Sequence, residues 1–233
     1  MDKTTVEKLL ALVKRNYSAI ATEFDATRRK ELWPEIIRLA GAVPEGAEIL
    51  DAGCGNGRLL EAFQDKAIKY FGFDNCPELV ELAKQHYPNQ TFGLGDLLDI
   101  RQVVGGRKYD YIFCLAVLPH IPGKELRRRV LQDLAAGLKP GGHLVMSVWN
   151  LRSNPKYRGL IFKSYWSKIL GREKSDFNDL IFPWKDSAGA EGSLRYYHAF
   201  SLSELKREVA AAGLIIEEIK KDKYNYWLVA KNS

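Results

Sequence analysis

Between Glu48 and Trp149 the chain alternates five short apolar runs of extended type with stretches of helical periodicity, and this alternation restricts the fold more than any other feature. Parallel strands can be joined only by a crossover long enough to hold a helix, so such a pattern belongs to a parallel sheet covered on both faces. Strands are expected at 48–52 (EILDA), 69–74 (KYFGFD), 91–96 (TFGLGD), 109–116 (YDYIFCLA) and 141–149 (GGHLVMSVW), with helices at 57–66, 77–86 and 124–137. Asn75 is placed to cap the second helix, with Pro77 in its first turn, and KPGG at 139–142 to stop the third.

The last segment, GLIIEEIKKDKYNYWLVAKN, holds two β-like runs around a short polar turn at Lys223 and Tyr224. So short a connection joins only antiparallel strands, and one of the last two strands must therefore run against the rest. About forty-five residues of helical pattern precede the sheet, with Pro34 at the start or a kink of their second helix. Residues 150–195 form an insertion whose NPKYRGLIFKSYWSKILGREK is amphipathic, basic and aromatic, followed by SAGAEGS, a flexible loop by composition, and by a last helix at 201–213. The expected fold is α/β: a Rossmann-like, doubly wound, seven-stranded sheet, mostly parallel with a C-terminal antiparallel hairpin, as one domain over 1–233 with an N-terminal helical cap at 1–45.

With 46% hydrophobic and 27% charged residues, and no run near the eighteen or so apolar residues of a membrane span, the chain is expected in the cytoplasm with no membrane partner. Cys54, Cys76 and Cys114 are far apart and without a CxxC pair, which predicts neither a disulfide framework nor a metal site. A net charge of +6 permits a polyanionic partner without requiring one.

The first strand runs into DAGCGNG, with Asp51 followed by Gly53, Gly55 and Gly57. This spacing is GxGxG and not the GxGxxG of a dinucleotide fingerprint, and a carboxylate at the strand end would repel a phosphate. Asp51 suits a cationic ligand, Asp74 at the end of the second strand suits a ribose diol, and Asp96 with Leu97 after the third is placed to meet a flat base. S-adenosylmethionine has a sulfonium, an ammonium, a ribose and an adenine, and is the ligand expected from the three features together. Singly each has a simpler reading: Gly53 and Gly57 as sites of close helix–strand packing, Asp74 as a helix cap. Asn75, Leu115 and Tyr17, the last on an N-terminal helix, complete the expected cofactor set.

The segments ILDAGCGNGRLL, GFDNCPELVELA, GDLLDI and YDYIFCLAVLPHI, with the final hairpin, resemble class I S-adenosylmethionine-dependent methyltransferases. ATRRKELWPEI, AVLPHI, RRRVLQDLAAGLKPGGHLVMSVWN and RYYHAFSLSELKREV are similar to the tRNA wobble-uridine carboxymethyl methyltransferases, which esterify 5-carboxymethyluridine. Where that family usually has two histidines after strand four, this sequence has Pro119 and His120. The resemblance implies S-adenosyl-L-methionine as cofactor, S-adenosylhomocysteine as product, the anticodon stem-loop of tRNA as substrate, and a small zinc-ribbon activator on an exposed sheet edge, the strand at 91–96.

A carboxylate acceptor is already ionised at neutral pH, so methyl transfer to it needs orientation and not a general base. Arg28 or Arg29 and Arg195 are the candidates to fork the carboxylate, His120 to hydrogen-bond the acceptor, and Trp149 to stack on a flipped base. His198 of RYYH joins Arg195 as the polar half of that segment. An RNA-binding rim is offered by Lys156, Tyr157, Arg158, Lys163, Tyr165, Trp166 and Lys168, and by Lys124, Arg127, Arg128 and Arg129. The competing reading of the insertion is a solvated helix face that also buries Trp166. Two other functions share this pattern: an O- or carboxyl-methyltransferase of a small metabolite, and a cofactor-binding module without catalysis.

Overall fold

The computed structural model describes residues 1–27, 31–171, 175–185 and 191–233. Five strands, β1 (Glu48–Ala52), β2 (Lys69–Asp74), β3 (Thr91–Leu94), β4 (Tyr109–Leu115) and β5 (Leu138–Trp149), pair in parallel, and β8 (Leu214–Lys221) and β9 (Asn225–Asn232) complete a seven-stranded sheet of order β3-β2-β1-β4-β5-β9-β8. β9 runs antiparallel to both β5 and β8, as the short connection requires.

Both faces of the sheet are covered, and the period of two along each strand sends successive side chains into two cores. Ile49, Phe113, Val145 and Trp227 pack with α2 (Pro34–Gly41), the 3₁₀ turn Arg58–Phe63 and α3 (Pro77–His86). Leu50, Ile112, Leu144 and Leu228 face the other way, against α4 (Ile100–Val104), α5 (Lys124–Gly137) and α7 (Leu202–Ala211). Each such side chain stabilises by about 2 kcal/mol on burial. That both faces are buried is why these strands read as nearly continuous apolar runs.

The remaining helices frame the carboxyl ends of the strands. α1 (Lys3–Thr27) packs on α3 and on β7 (Glu191–His198), and α6 (Pro155–Ile169) packs Tyr157, Leu160 and Ile161 against a small cluster around Leu180, Phe182 and Tyr197. β7 pairs antiparallel with β6 (Asp179–Lys185) in a two-stranded sheet that the sequence did not announce.

Several expectations are corrected. The helix expected at 57–66 is a 3₁₀ turn at Arg58–Phe63, because Gly57 enters it from the left-handed region (φ 78°) and only six residues follow. Cys76, not Asn75, occupies the N-cap of α3 and makes no side-chain cap bond. KPGG does follow the end of α5, but it lies within β5, where the register against β4 shifts between Tyr109 and Tyr111. The part of the expected flexible loop SAGAEGS that is described, Glu191–Ser193, is strand, and 187–190 lie outside the described residues. Trp166, expected to be buried if the insertion were a plain solvated helix, is exposed, together with Phe162 and Tyr165. Among the described residues no helix is long and apolar enough to cross a membrane.

Candidate active site

The direction of strand addition reverses between β1 and β4, and there a crevice opens beyond the carboxyl ends of the strands. It holds a cavity of about 350 Å³, within the usual range of small-molecule sites. Asp51, Gly53, Cys54, Gly55 and Asn56 line it from β1 and the following loop, Asp74 and Asn75 from the end of β2, Asp96 and Leu97 from beyond β3, and Leu115, Ala116 and Val117 from the end of β4. Tyr17 and Phe24 close it from α1.

The loop is shaped by backbone conformations that only glycine adopts without strain. A Cβ on Gly53 (φ 83°) would stand 2.4 Å from a methyl of Val117, so no other side chain fits. The amide of Gly55 donates to Asp74 Oδ2 at 2.9 Å, and Asp74 Oδ1 accepts from the Cys76 amide at 3.0 Å, which fixes the glycine loop to the end of β2. Asn75 Nδ2 donates to Asp96 Oδ2 at 3.1 Å, while Asp96 Oδ1 accepts from the Leu98 amide, so the ends of β2 and β3 are tied as well. Gly57 does not line the cavity; a Cβ there would meet Phe92 and Tyr87 at 3.0 Å, so its absence allows packing behind the loop.

Asp51 is 3% exposed and accepts a hydrogen bond from Tyr70 Oη at 2.8 Å. Burial pushes its carboxyl up to about 7; the Tyr70 bond opposes this and the neighbouring Asp74 adds to it. No salt bridge among the described residues reaches Asp51. Burial likewise raises Asp74, against three backbone hydrogen bonds. A buried carboxylate with no cation of its own, facing a cavity whose wall is glycine backbone, fits a ligand that brings positive charge. The acids at the ends of β2 and β3 fit the hydroxyls and base of a nucleoside. The residues present thus fit S-adenosylmethionine.

A second cavity, about 720 Å³, adjoins the first and shares Tyr17, Phe24, Trp33 and Trp149 with it. Trp149 ends β5, Arg195 and Tyr197 come from β7, and Tyr157 from α6. Alternation along β7 sends Arg195 and Tyr197 toward this cavity, with Arg195 Nη1 donating to Tyr197 Oη at 3.2 Å. His120 lines the first cavity: its Nε2 and Tyr17 Oη are 2.7 Å apart, and its ring packs at 5.0 to 5.3 Å on Tyr197, Tyr17 and Trp149. Burial depresses the imidazole to about 3, a backbone contact at Tyr196 opposes this, and the Arg195 charge adds to it, so His120 is neutral.

Other expected site residues lie elsewhere. Arg28 and Arg29, with Lys30, are outside the described residues. His198 faces away from both cavities: it is 2% exposed, with Nδ1 on Asp179 Oδ1 at 2.7 Å and Nε2 on Glu204 Oε1 at 3.2 Å. Burial alone would push this imidazole down, and the two carboxylates outweigh it and raise it. Arg127 is no part of a basic rim, because it is buried in α5 and forks Glu208 of α7 with two bonds of 3.1 Å. Lys168 is buried too and donates to the Asp179 carbonyl at 2.7 Å. Lys124, Arg129, Lys156, Arg158 and Lys163 are exposed.

Ala116 was not anticipated. It adopts φ 59°, costly for a residue with a Cβ, and its amide is held by the Ser147 carbonyl at 2.9 Å and Ser147 Oγ at 3.1 Å. The strain turns the chain sharply at the end of β4, into the cavity wall. An alanine gives no warning of this in a sequence.

A family model described as a methyltransferase domain matches residues 24–219. The chain belongs to the methyltransferase domain family. Among its relatives is a Schizosaccharomyces pombe protein named tRNA (carboxymethyluridine(34)-5-O)-methyltransferase, 29% identical over 227 residues that cover 95% of this chain and 96% of the relative. An Arabidopsis thaliana protein of the same name is 31% identical over 147 residues, 63% of this chain and 35% of the relative, so the match spans about a third of that longer methyltransferase. A Coxiella burnetii ubiquinone biosynthesis O-methyltransferase is 27% identical over 177 residues, 71% of this chain and 74% of its own length. Among solved structures, a SAM-dependent methyltransferase of Methanosarcina mazei aligns with a TM-score of 0.69 at 18% identity, over 87% of this chain and 99% of the other. The methyltransferase complexed with the Haloferax volcanii Trm112 methyltransferase activator aligns with a TM-score of 0.64 at 18% identity, over 93% of this chain and 97% of the other. At these identities the two structures speak for the fold.

Proposed function

We propose that this methyltransferase is a cytoplasmic S-adenosylmethionine-dependent enzyme that esterifies the carboxylate of 5-carboxymethyluridine at the wobble position of tRNA. The observation that carries this is the second cavity: an aromatic chamber with a guanidinium, Arg195, in its wall, beside a neutral, buried histidine, His120, that lines the first cavity and packs on Trp149 and Tyr197. Such a chamber suits a flat base bearing an anion that is already a nucleophile. The full-length similarity to the fission-yeast protein, whose name states this substrate, supports the same reading.

In this proposal Asp51 holds the cationic end of the cofactor, Asp74 and Asn75 the ribose, Asp96 and Leu97 the adenine, and Gly53, Gly55, Leu115 and Tyr17 the remaining walls. When bound, S-adenosylmethionine supplies a methyl group attached to a positively charged sulfur. Arg195, with Arg28 as a second candidate, orients the acceptor carboxylate, and Trp149 stacks against the uracil. His120 stays neutral throughout; in its contact with Tyr17, which lines both cavities, it hydrogen-bonds without drawing a proton from anything. Held this way, the carboxylate oxygen would face the methyl group that the cofactor would supply, and S-adenosylhomocysteine would be the product. The aromatic walls exclude water from the oxygen that must be methylated.

The unit acts as one domain over 1–233, with Tyr17 and Phe24 of the N-terminal cap on one side of the cavities and Tyr157 and Arg195 of the insertion lining the second. A small zinc-ribbon activator would add to the edge of the sheet at β3, where Leu94 is exposed. The methyltransferase of the Trm112 complex, which shares this fold, supports that partner.

Incubation with label carried on the cofactor's methyl group, offered either tRNA containing 5-carboxymethyluridine or a small-molecule extract, tests the reading. Label is expected in the tRNA and to fall at least tenfold with Arg195→Ala; label found in small molecules alone would favour a metabolite methyltransferase.

A further inference from the structure

We propose that Tyr224, with Lys223 beside it, forms a stacking subsite for an unpaired base adjacent to the nucleotide that enters the second cavity. This rests on the tRNA reading above. The two residues occupy the tip of the β8–β9 connection and line that cavity, as Tyr157 and Arg195 do.

The backbone here is fixed. Asp222 Oδ1 accepts the amides of Tyr224 and Asn225, each at 2.6 Å, and the Asp222 amide donates to the Asn225 carbonyl at 2.9 Å. The turn is also fastened to the segment after β5: the Asn150 amide donates to the Tyr224 carbonyl at 2.7 Å, Ser153 Oγ to the Lys223 carbonyl at 2.6 Å, and Asn150 Nδ2 to the Asp222 carbonyl at 3.0 Å. Every one of these bonds uses backbone of 223 and 224, or Asp222, and none uses the tyrosine ring.

Tyr224 is 61% exposed, and the Lys223 ammonium lies 5.2 Å from its ring centroid. Turn chemistry does not account for it. Asp222 performs the role that a turn asks of its first residue, whereas tyrosine at the tip offers no φ or capping advantage. An aromatic ring held out on a braced backbone costs little ordering when something stacks on it. A base taken into the cavity leaves its neighbour without a stacking partner, and an exposed tyrosine with a lysine alongside supplies both a platform and a phosphate-attracting charge.

The test uses an anticodon stem-loop RNA with a single 5-carboxymethyluridine, and steady-state methylation by the full chain over a salt series. Tyr224→Ala should raise KM roughly 5- to 100-fold with kcat within about twofold and an unchanged salt slope, since stacking releases no counterions. Tyr224→Phe should behave as the parent protein does, and Lys223→Gln should reduce the salt slope by about 0.7 to 1. Cofactor affinity and the thermal midpoint should stay close to the parent values for every variant, because the hydrogen bonds that brace the turn use neither the Tyr224 ring nor the Lys223 ammonium. An active parent protein with Tyr224→Ala unchanged in KM overturns the subsite alone, as would Tyr224→Phe failing as badly as Tyr224→Ala. A parent protein that, with its activator supplied, does not methylate the stem-loop overturns the tRNA reading itself.

Discussion

Asp51 concentrates the electrostatics of the cofactor cavity. Its carboxyl stands near 7 when no cation faces it, against 3.8 ordinarily, because burial penalises the charge. An acid raised in this way favours the folded state while protonated; the contribution is complete below about pH 4 and is lost as pH rises through about 7. A cationic ligand needs the opposite form. Calorimetric affinity for S-adenosylmethionine should therefore climb between about pH 6 and 7.5, by at most tenfold per unit, and Asp51→Asn should bind at least tenfold more weakly with a flat profile. The ligand-free Asp51→Asn protein should be more stable than its parent at pH 8, which separates lost recognition from lost folding. The acids and glycines of this cavity were readable because each lies at or just beyond the carboxyl end of β1, β2 or β3, where spacing alone places it. Arg127 shows where reading by composition failed. It stands among basic neighbours in the sequence, yet 127, 130, 131 and 134 form one helix stripe, and that periodicity puts the arginine on the buried face beside Val130 and Leu134. His198 has the same lesson, since alternation along β7 sends it to the side opposite Arg195.

At the scale of elements, β1, β2 and β4 were legible nearly to the residue, whereas β3 ends two residues earlier and β5 begins three residues earlier than expected, and the antiparallel last strand followed from the length of one turn. The β6–β7 pair was not, because Pro183 and the small residues of SAGAEGS disguise strand character that arises from packing under α1 and α6. α1 was expected as a helix, but not how it is held. Its buried residues are Leu9, Asn16, Ala21 and Asp25, two apolar and two polar, so it depends on hydrogen bonds as much as on apolar burial. Asp25 Oδ1 accepts from Asn56 Nδ2 at 2.9 Å and contacts His86 Nε2 at 2.8 Å, Ser18 donates to Glu78 at 3.0 Å, and the Asn16 amide donates to the Leu194 carbonyl. Removing Asp25 leaves the buried Asn56 amide without this acceptor, a loss of about 1–3 kcal/mol. With Asp25→Ala, amide exchange across 3–27 should accelerate roughly 5- to 100-fold while β1 and β4 keep their protection, as hydrogen-exchange mass spectrometry would report. The same variant should release bound cofactor faster, because Tyr17 and Phe24 ride on that helix.

Across the whole molecule, a cavity for a positively charged nucleoside at the sheet switch point adjoins a second aromatic chamber with a guanidinium, and Tyr17, which lines both, contacts a histidine that cannot take a proton near neutrality. That arrangement suits transfer to an acceptor that arrives already ionised, which is the claim on which everything functional rests. The most direct measurement digests tRNA to nucleosides after reaction with the purified chain and S-adenosylmethionine, with its activator added if one is required, and resolves the wobble position by mass spectrometry. The 5-carboxymethyluridine should gain one methyl group that mild alkali removes as methanol, as an ester must. A methyl group that survives alkali, or one placed equally on tRNA whose wobble uridine lacks the carboxymethyl group, would contradict it.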